Sequence, residues 1–412
     1  MIDIKQLQEN LAKYKKGAED KGVEVEFEKI IRADEERKNL IQRTDKLRAD
    51  QNKANDEIAA ASPEEKKQKI GLMKKLSDEV KELTVLLRDK EDNFHQLMSS
   101  IPNPALDDVP VGKSDKDNKV LKKVGDVPKM EFEPKSYLEI GEKLDIIDVK
   151  RAAKVSGSRF GYLKGDAVKL QFALLNYALA KLDKNGFTAV LPPVMVKRPA
   201  MEAMGFLDRS EEDVFQTMRD KYYLVGTSEQ SIGPMHMDEI LDEKKLPLKY
   251  FGYSTCFRRE AGSYGKDTKG ILRVHQFDKV EMFCFSKPEE SEKLQEDMLG
   301  LIEEIMQELK LPYQVVALCT GDMGTPQART FDIETWVPSE NKYRETHSIS
   351  TCTDFQARRL NTKYKKDGKN EFVHTLNGTC FAFGRMIIAI IENYQKEDGT
   401  YDVPEILTSY YN

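Results

Sequence analysis

At 412 residues the chain exceeds an average domain, and the usual span of roughly 100 to 200 residues per domain suggests two or three. Its residues are 39% hydrophobic and 33% charged, and the longest purely apolar run is Met386 to Ile391, which excludes a membrane-spanning helix. A net charge of −6 excludes indiscriminate polyanion binding, so any RNA contact must come from local patches. Charged residues scattered through the first 20 positions leave no apolar stretch for a secretory signal, and the cytoplasm is the expected compartment. The five cysteines (Cys256, Cys284, Cys319, Cys352 and Cys380) make no CxxC or clustered Cys/His spacing, so they read as reduced structural thiols and no zinc is expected.

The chain opens with Ile4, Leu7, Leu11 and Tyr14 at alternating spacings of three and four, which predicts a short docking helix. From about 28 to 100, Met73, Leu76, Val80, Leu83, Leu87, Phe94 and Leu97 form a heptad seam interrupted at Lys90. Ile30, Ala33, Leu40, Leu47, Ala54 and Ile58 supply a weaker partner, with polar Thr44 and Gln51 in its seam. Ser62-Pro63-Glu64-Glu65 reads as a capping box opening the second helix, with a tight reversal just before it. The result is an antiparallel coiled-coil hairpin reaching roughly 50 Å at about 1.5 Å per residue. Sixteen charges of each sign cancel over 28 to 100, yet Lys66, Lys67, Lys69, Lys74 and Lys75 crowd near the tip. They form either a solvated helix face or a grip on phosphates.

Residues 101–127, with three prolines and a polar run, read as a linker or crossing loop, and the chain divides into 1–112 and 113–412. Beyond it, strand-like runs at 188–195, 250–258, 271–285, 312–319 and 329–337 alternate with helices near 168–184, 288–310 and 380–395. Short glycine-containing loops between them favour an antiparallel α+β arrangement.

Three segments carry charge where a core would not. In Cys256-Phe257-Arg258-Arg259-Glu260, alternation along a strand would point Arg258 and Glu260 the same way. They form a plain ion pair or, given the basic glycine-rich loop 261–270 that follows, part of a nucleotide site. In the next run Phe277 and Glu281 share a face, as ordinary packing or as a ring for stacking on adenine beside an amine-binding acid. Arg385 sits in the apolar helix Phe381 to Glu392 and needs an anionic partner, either a triphosphate or a carboxylate elsewhere in the chain.

Gly186 to Pro193, Phe257 to Glu260 and Gly378 to Arg385 resemble, in that order, the three signature motifs of class II aminoacyl-tRNA synthetases. Thr227-Ser228-Glu229, Cys319 to Gly324, Asp354 to Arg359, His374 to Gly378, Val403 to Leu407 and the hairpin itself are similar to seryl-tRNA synthetases, over essentially the whole chain. The resemblance implies an α+β fold: an N-terminal two-helix coiled-coil arm for tRNA, then a class II antiparallel β-sheet flanked by helices, assembled as a homodimer. It implies L-serine, ATP and magnesium as site occupants, with serine tRNA, and selenocysteine tRNA as well, as acceptors. Arg258, Glu345 and Arg385 are then the expected catalytic residues. ATP would meet Arg258, Arg259, Glu260, Val274, Phe277, Glu345, Thr346, His347, Ser348 and Arg385, with magnesium on Glu345 and Ser348. Serine would meet Thr227, Ser228, Glu229, Arg258, Glu281, Asn377 and Thr379, a pocket that rejects alanine by leaving hydroxyl partners unpaired and threonine by shape. The five tip lysines would touch tRNA.

Two departures from the usual family pattern stand out. Glu345-Thr346-His347-Ser348-Ile349-Ser350-Thr351 replaces the expected Glu-Ile-Ser-Ser-Cys-Ser-Asn, leaving His347 unexplained. Thr379 and Cys380 stand where serine and glycine are frequent.

Overall fold

The computed structural model describes residues 2–60, 62–208, 211–261 and 269–411. They form two compact units, one of residues 2–19 with 23–102 and the other of residues 20–22 with 103–412.

In the first unit the opening segment makes two helices instead of one, Ile4–Glu9 and Leu11–Asp20. Asn10 breaks them, its side-chain amide donating to the Gln6 carbonyl at 3.2 Å, the local competition that keeps asparagine out of helix interiors. Two long helices follow, α1 (Phe27–Ala60) of 34 residues and α2 (Pro63–Ser99) of 37 residues. Their ion pairs run in reversed order, Glu36 with Lys90 at 2.5 Å, Arg43 with Glu79 at 2.7 Å and Glu57 with Lys69 at 3.1 Å, so the helices are antiparallel. Lys90, the break in the heptad seam, is thus a cross-link that fixes register. Ile30, Ala33, Leu83, Phe94 and Met98 are buried along the seam. At the start of α2 the Glu65 carboxylate accepts from the Ser62 amide at 3.1 Å and its hydroxyl at 2.7 Å. The reversal at Ala61 lies outside the described residues. Among the tip lysines, Lys67, Lys74 and Lys75 are exposed, Lys66 is half-buried and Lys69 is engaged by Glu57.

The second unit is organised by an eight-stranded sheet. Its strands are β1 (Lys119–Val124), β2 (Thr188–Val190), β3 (Leu248–Phe257), β4 (Gln276–Ser286), β5 (Tyr313–Ala317), β6 (Arg329–Val337), β7 (Lys342–Thr353) and β8 (His374–Ala382). They lie in the order β1-β5-β6-β7-β8-β4-β3-β2, antiparallel throughout except where β2 meets β3. Helices α3 (Asp166–Lys184), α4 (Ser291–Glu308) and α5 (Phe383–Asn393) supply the core on one face, where Val280, Met282 and Cys284 of β4 pack with Leu174, Met298 and Ile387. On the other face Phe283 and Phe285 join a second cluster with Met204, Ile232 and Tyr364. That leaves the first half of the same face of β4 for Phe277, Lys279 and Glu281. No helix among the described residues is long and apolar enough to cross a membrane.

Several expected boundaries move. Residues 101–127 are not all loop: β1 lies within them, and its almost wholly exposed burial pattern gave no hydrophobic period to read. The run 188–195 splits at Pro192 and Pro193, which lack the amide a strand needs, into β2 and a short strand Met195–Val196. Cys380 to Ala382 finish β8 before α5 begins, and β4 starts at Gln276 instead of 271. Strands β7 and β8, which carry much of the site, were outside the expected set.

Thr44 is 1% exposed in the α1 seam, and its hydroxyl has no partner among the described residues. Thr44→Val replaces that hydroxyl with a methyl group of the same shape and is expected to stabilise the hairpin by about 1 kcal/mol. Urea unfolding followed by circular dichroism checks it; a lower midpoint would show that the hydroxyl is satisfied.

Candidate active site

The open face of the sheet carries a cleft lined by residues that include Arg258, Glu260, Phe277, Lys279, Glu345 and Arg385. Val274, Thr346 and Thr379 also line it. Antiparallel register makes this convergence: Thr379 of β8 lies opposite Glu281 of β4, which on its other side lies opposite Gly252 of β3.

Gly252 is a glycine for a reason of space. A methyl group there would stand 2.6 Å from Ile232 Cδ1 and 2.9 Å from Ser228 Oγ. The bare backbone lets the segment Thr227 to Ile232 lie against β3, and Ser228 seals the contact by donating to the Gly252 carbonyl at 3.2 Å. Glu229 is thereby carried toward Glu281. Its Oε1 accepts from Gln356 at 2.9 Å and Asn377 at 3.1 Å, and Gln356 is held in turn by the Thr375 hydroxyl at 2.7 Å. Burial, and then the neighbouring Glu281 carboxylate, push Glu229 up to about 7. Glu281 accepts from the Thr379 hydroxyl at 3.0 Å and the Lys279 ammonium at 2.7 Å.

At the other end, Arg385 donates to the main-chain carbonyl of Glu345 and forms an ion pair with its side chain, each at 2.9 Å. Burial opposes ionisation of Glu345, but the Arg385 guanidinium prevails and holds it below the usual carboxylate range. The anionic partner that Arg385 requires is therefore present within the chain. Nearby, Asp332 of β6 lies across from Ser348 of β7, whose hydroxyl favours its charged form. Its Oδ1 is buried without a partner among the described residues. Burial, then Glu345, push Asp332 well above the usual range.

The relation expected between Arg258 and Glu260 is corrected. Strand β3 stops at Phe257, and Glu260 adopts φ +53°, so alternation does not apply. Glu260 pairs with Arg273 at 2.6 Å, while the Arg258 guanidinium stands over the Phe277 ring at 5.4 Å and donates through Nε to the Gly226 carbonyl at 3.2 Å. Both still line the cleft. Arg259 is exposed, its amide donating to the Asp213 carbonyl at 2.8 Å. Residues 262–268 of the glycine-rich loop lie outside the described residues.

His347 is placed away from the cleft. Thr346 is an extra residue in β7, for Ile333 pairs with His347 while Glu334 pairs with Glu345. Such a bulge re-aims side chains: Glu345 and Thr346 line the cleft, whereas the His347 ring is buried 6.2 Å from Phe381 and bonded through Nδ1 to Thr346 Oγ1 at 2.8 Å. Burial keeps it neutral, its pKa held down to about 3, so its side chain offers no cation to a phosphate. Cys380 is likewise an extra residue, between Thr379 and Phe381 of β8, and its main chain interacts with His347. His347 and Cys380 thus form one packing unit behind the cleft, while Thr346 and Thr379 line it.

Sequence reading missed Lys279, Arg273, Asp332 and Gln356. Lys279 shares a strand face with Phe277 and Glu281, and Asp332 lies between Phe331 and Ile333, signals that were available; Arg273 and Gln356 act only through tertiary neighbours.

The antiparallel sheet, the paired charges and the flanking helices define a class II aminoacyl-tRNA synthetase, an aminoacyl-tRNA ligase: the family model "tRNA synthetase class II core domain (G, H, P, S and T)" matches residues 212–394. A second model, the seryl-tRNA synthetase N-terminal domain, matches residues 1–105. The serine–tRNA ligase of Exiguobacterium sibiricum is 44% identical over 416 residues, covering 100% of this chain and 98% of its own length. Among solved structures, the seryl-tRNA synthetase of Pyrococcus horikoshii complexed with ATP is 39% identical with a TM-score of 0.88, covering 100% of this chain and 98% of its own. The cytoplasmic enzyme of Naegleria fowleri in complex with AMP is 32% identical with a TM-score of 0.83, covering 98% and 94%. The chain belongs to the seryl-tRNA synthetase family.

Glu229 gives a pH signature. Its folded value of about 7 lies above its ordinary 4.5, so the folded state holds the extra proton between those values and stability falls as pH rises through that window. Glu229→Gln is expected to flatten the fall, by up to about 3 kcal/mol at pH 8 relative to pH 4.5. Chemical denaturation of both proteins across pH 4.5 to 8 checks it, and parallel curves would show that Glu229 does not titrate on folding.

Proposed function

We propose that this protein activates L-serine with ATP to give seryl-adenylate and pyrophosphate, then transfers the seryl group to the terminal adenosine of serine tRNA. The observation that carries the reading is the cleft lined by two cationic groups, Arg258 and Arg385, and by Thr379, whose hydroxyl is bonded to Glu281 with Glu229 close behind it. In the first step a serine carboxylate oxygen bonds to the α-phosphorus, and the bond from that phosphorus to the bridging oxygen of pyrophosphate breaks. Such transfer needs positioning and charge neutralisation more than a dedicated base.

Arg258, held between Gly226 and Phe277, is placed to steady the α-phosphate and the serine carboxylate. Arg385 would exchange Glu345 for the terminal phosphate. Glu260, Val274 and Phe277 would hold the adenosine, with Thr346 and the main chain of His347 and Ser348 along the phosphates and Arg259 at the rim. Thr227, Glu229, Glu281, Asn377 and Thr379 would take the amino acid, with Ser228 acting through its hold on Gly252. The oxygen donors of Glu345 and Ser348 would hold magnesium, and the unpartnered Oδ1 of Asp332 beside Ser348 fits a hard cation there. When bound, the ion supplies charge neutralisation to the phosphates.

The N-terminal unit would present the tRNA, its exposed tip lysines meeting backbone phosphate; contacts that read phosphates rather than bases extend the proposal to selenocysteine tRNA. Leu191, Phe172 and Met195 are 83%, 51% and 51% exposed around the first-motif segment, an apolar surface that a homodimer would cover. The tRNA substrate and five buried free thiols both suit the cytoplasm.

ATP–pyrophosphate exchange with serine, threonine, alanine, glycine and cysteine tests the activation step. Exchange is expected with serine, and Arg258→Ala and Arg385→Ala are each expected to lower it by at least about 100-fold without unfolding the protein. Exchange with another amino acid but not serine would defeat the assignment. In the same preparations, replacing Lys67, Lys74 and Lys75 by alanine should leave exchange intact and raise the KM for tRNA by about tenfold at moderate salt. Unchanged tRNA charging would remove the lysines from the interface.

A further inference from the structure

Glu229 and Glu281 approach the amino-acid pocket from different elements and keep different company. Glu229 Oε1 accepts from two neutral amides, those of Gln356 and Asn377. Glu281 Oε2 takes a full cation, the Lys279 ammonium at 2.7 Å, together with the Thr379 hydroxyl at 3.0 Å. The Lys279 and Glu281 side chains are 7% and 3% exposed, so this is a buried ion pair. Strand phase puts both on the face that bears Phe277, and Lys279 itself lines the cleft. Lysine is among the residues least often buried, and when it is buried it is paired. Here the pairing stands at the wall of the cleft, with Lys279 and Thr379 lining it and Glu281 bonded to both, where it changes what Glu281 offers a substrate.

Resting on the assignment of serine to this pocket, we propose that Lys279 is a specificity-determining positioning residue: it neutralises Glu281, so that this carboxylate reads the serine hydroxyl while Glu229 receives the ammonium. An ionised carboxylate has about four acceptor sites and no donor. Two donors from the protein leave capacity on Glu281, and with its charge already matched by Lys279 the group asks for a hydrogen-bond donor rather than a second cation. Serine meets that demand with its O–H. Alanine fills the same space and leaves a buried acceptor unpaired, the condition under which hydroxyl-reading sites discriminate most strongly. Without Lys279 the two acids would present the ammonium with competing carboxylates, and nothing would reserve Glu281 for the side chain.

The test uses the full-length protein with Lys279→Met, which keeps an unbranched side chain and removes the charge. Breaking a buried pair leaves an uncompensated carboxylate, which then competes with Glu229 for the substrate ammonium and is no longer reserved for the serine hydroxyl. ATP–pyrophosphate exchange is measured with serine and with alanine, and the ratio of their kcat/KM values is the readout. Wild-type discrimination of this kind is of order 10⁴, and the ratio is expected to fall at least about tenfold in the variant, through loss with serine while alanine is unchanged or improved. An unchanged ratio in the folded variant, or equal losses for both amino acids, would overturn the proposal, since a merely structural role lowers both together. If Lys279→Met fails to fold, Lys279→Gln carries the same expectation, because it keeps a donor to Glu281 but no charge. A wild-type protein that does not exchange with serine would refute the functional assignment itself, a failure read from the parent enzyme and distinct from the ratio in the variant.

Discussion

The site depends on one constraint: ionised side chains that stand on a sheet whose other face is packed with hydrocarbon must be paired. Breaking such a pair in a buried setting costs about 3 to 5 kcal/mol, and four acids around the cleft have companions. Lys279 and Thr379 hold Glu281, Arg385 holds Glu345, Arg273 holds Glu260, and the amides of Gln356 and Asn377 hold Glu229. The free protein therefore presents a site already organised by its own charges. In the proposed reaction substrates would bind by exchanging partners: a phosphate in place of Glu345 on Arg385, an ammonium on Glu229. Little reorganisation is left for the chemical step, which is how preorganised electrostatic sites act.

Antiparallel register converts that constraint into geometry. Glu281 and Thr379 are far apart in sequence but directly opposite across β4 and β8, and the missing side chain at Gly252 brings a third element, the segment bearing Glu229, against the same point. Two bulges finish the arrangement. At Thr346 the phase of β7 shifts so that Glu345 faces the cleft while His347 turns into the core, and at Cys380 the phase of β8 shifts between Thr379 and Phe381. The unusual histidine and the unusual cysteine meet behind the cleft, and Thr346 and Thr379 at its front are uncharged, so the departures from the common family pattern remove no charge from the site.

Much of this was legible in the sequence for physical reasons. The hairpin announced itself through heptads and a capping glutamate, and the Glu65 hydrogen bonds are present. Phe277 and Glu281 share a face because β4 is regular between them. What failed was alternation wherever the backbone departs from a regular strand: Glu260 with its positive φ, and the bulge at Thr346. Strand β1 was invisible because an exposed edge strand rich in lysine has no hydrophobic period, and β8 was partly read as helix because its apolar end runs straight into α5. Arg273 and Gln356 could not be found at all from spacing, since their roles are set by residues distant in the chain.

The most direct test of the account is calorimetric binding of a non-hydrolysable seryl-adenylate analogue to the intact protein, beside its alanyl and threonyl counterparts. The account requires one site per chain for the seryl compound, with an affinity at least about 100-fold above that of serine alone, as expected of a ligand that spans both ends of a preorganised cleft. The alanyl and threonyl compounds should bind much more weakly. Equal affinity for all three would contradict the claim that paired charges on the sheet read the serine side chain.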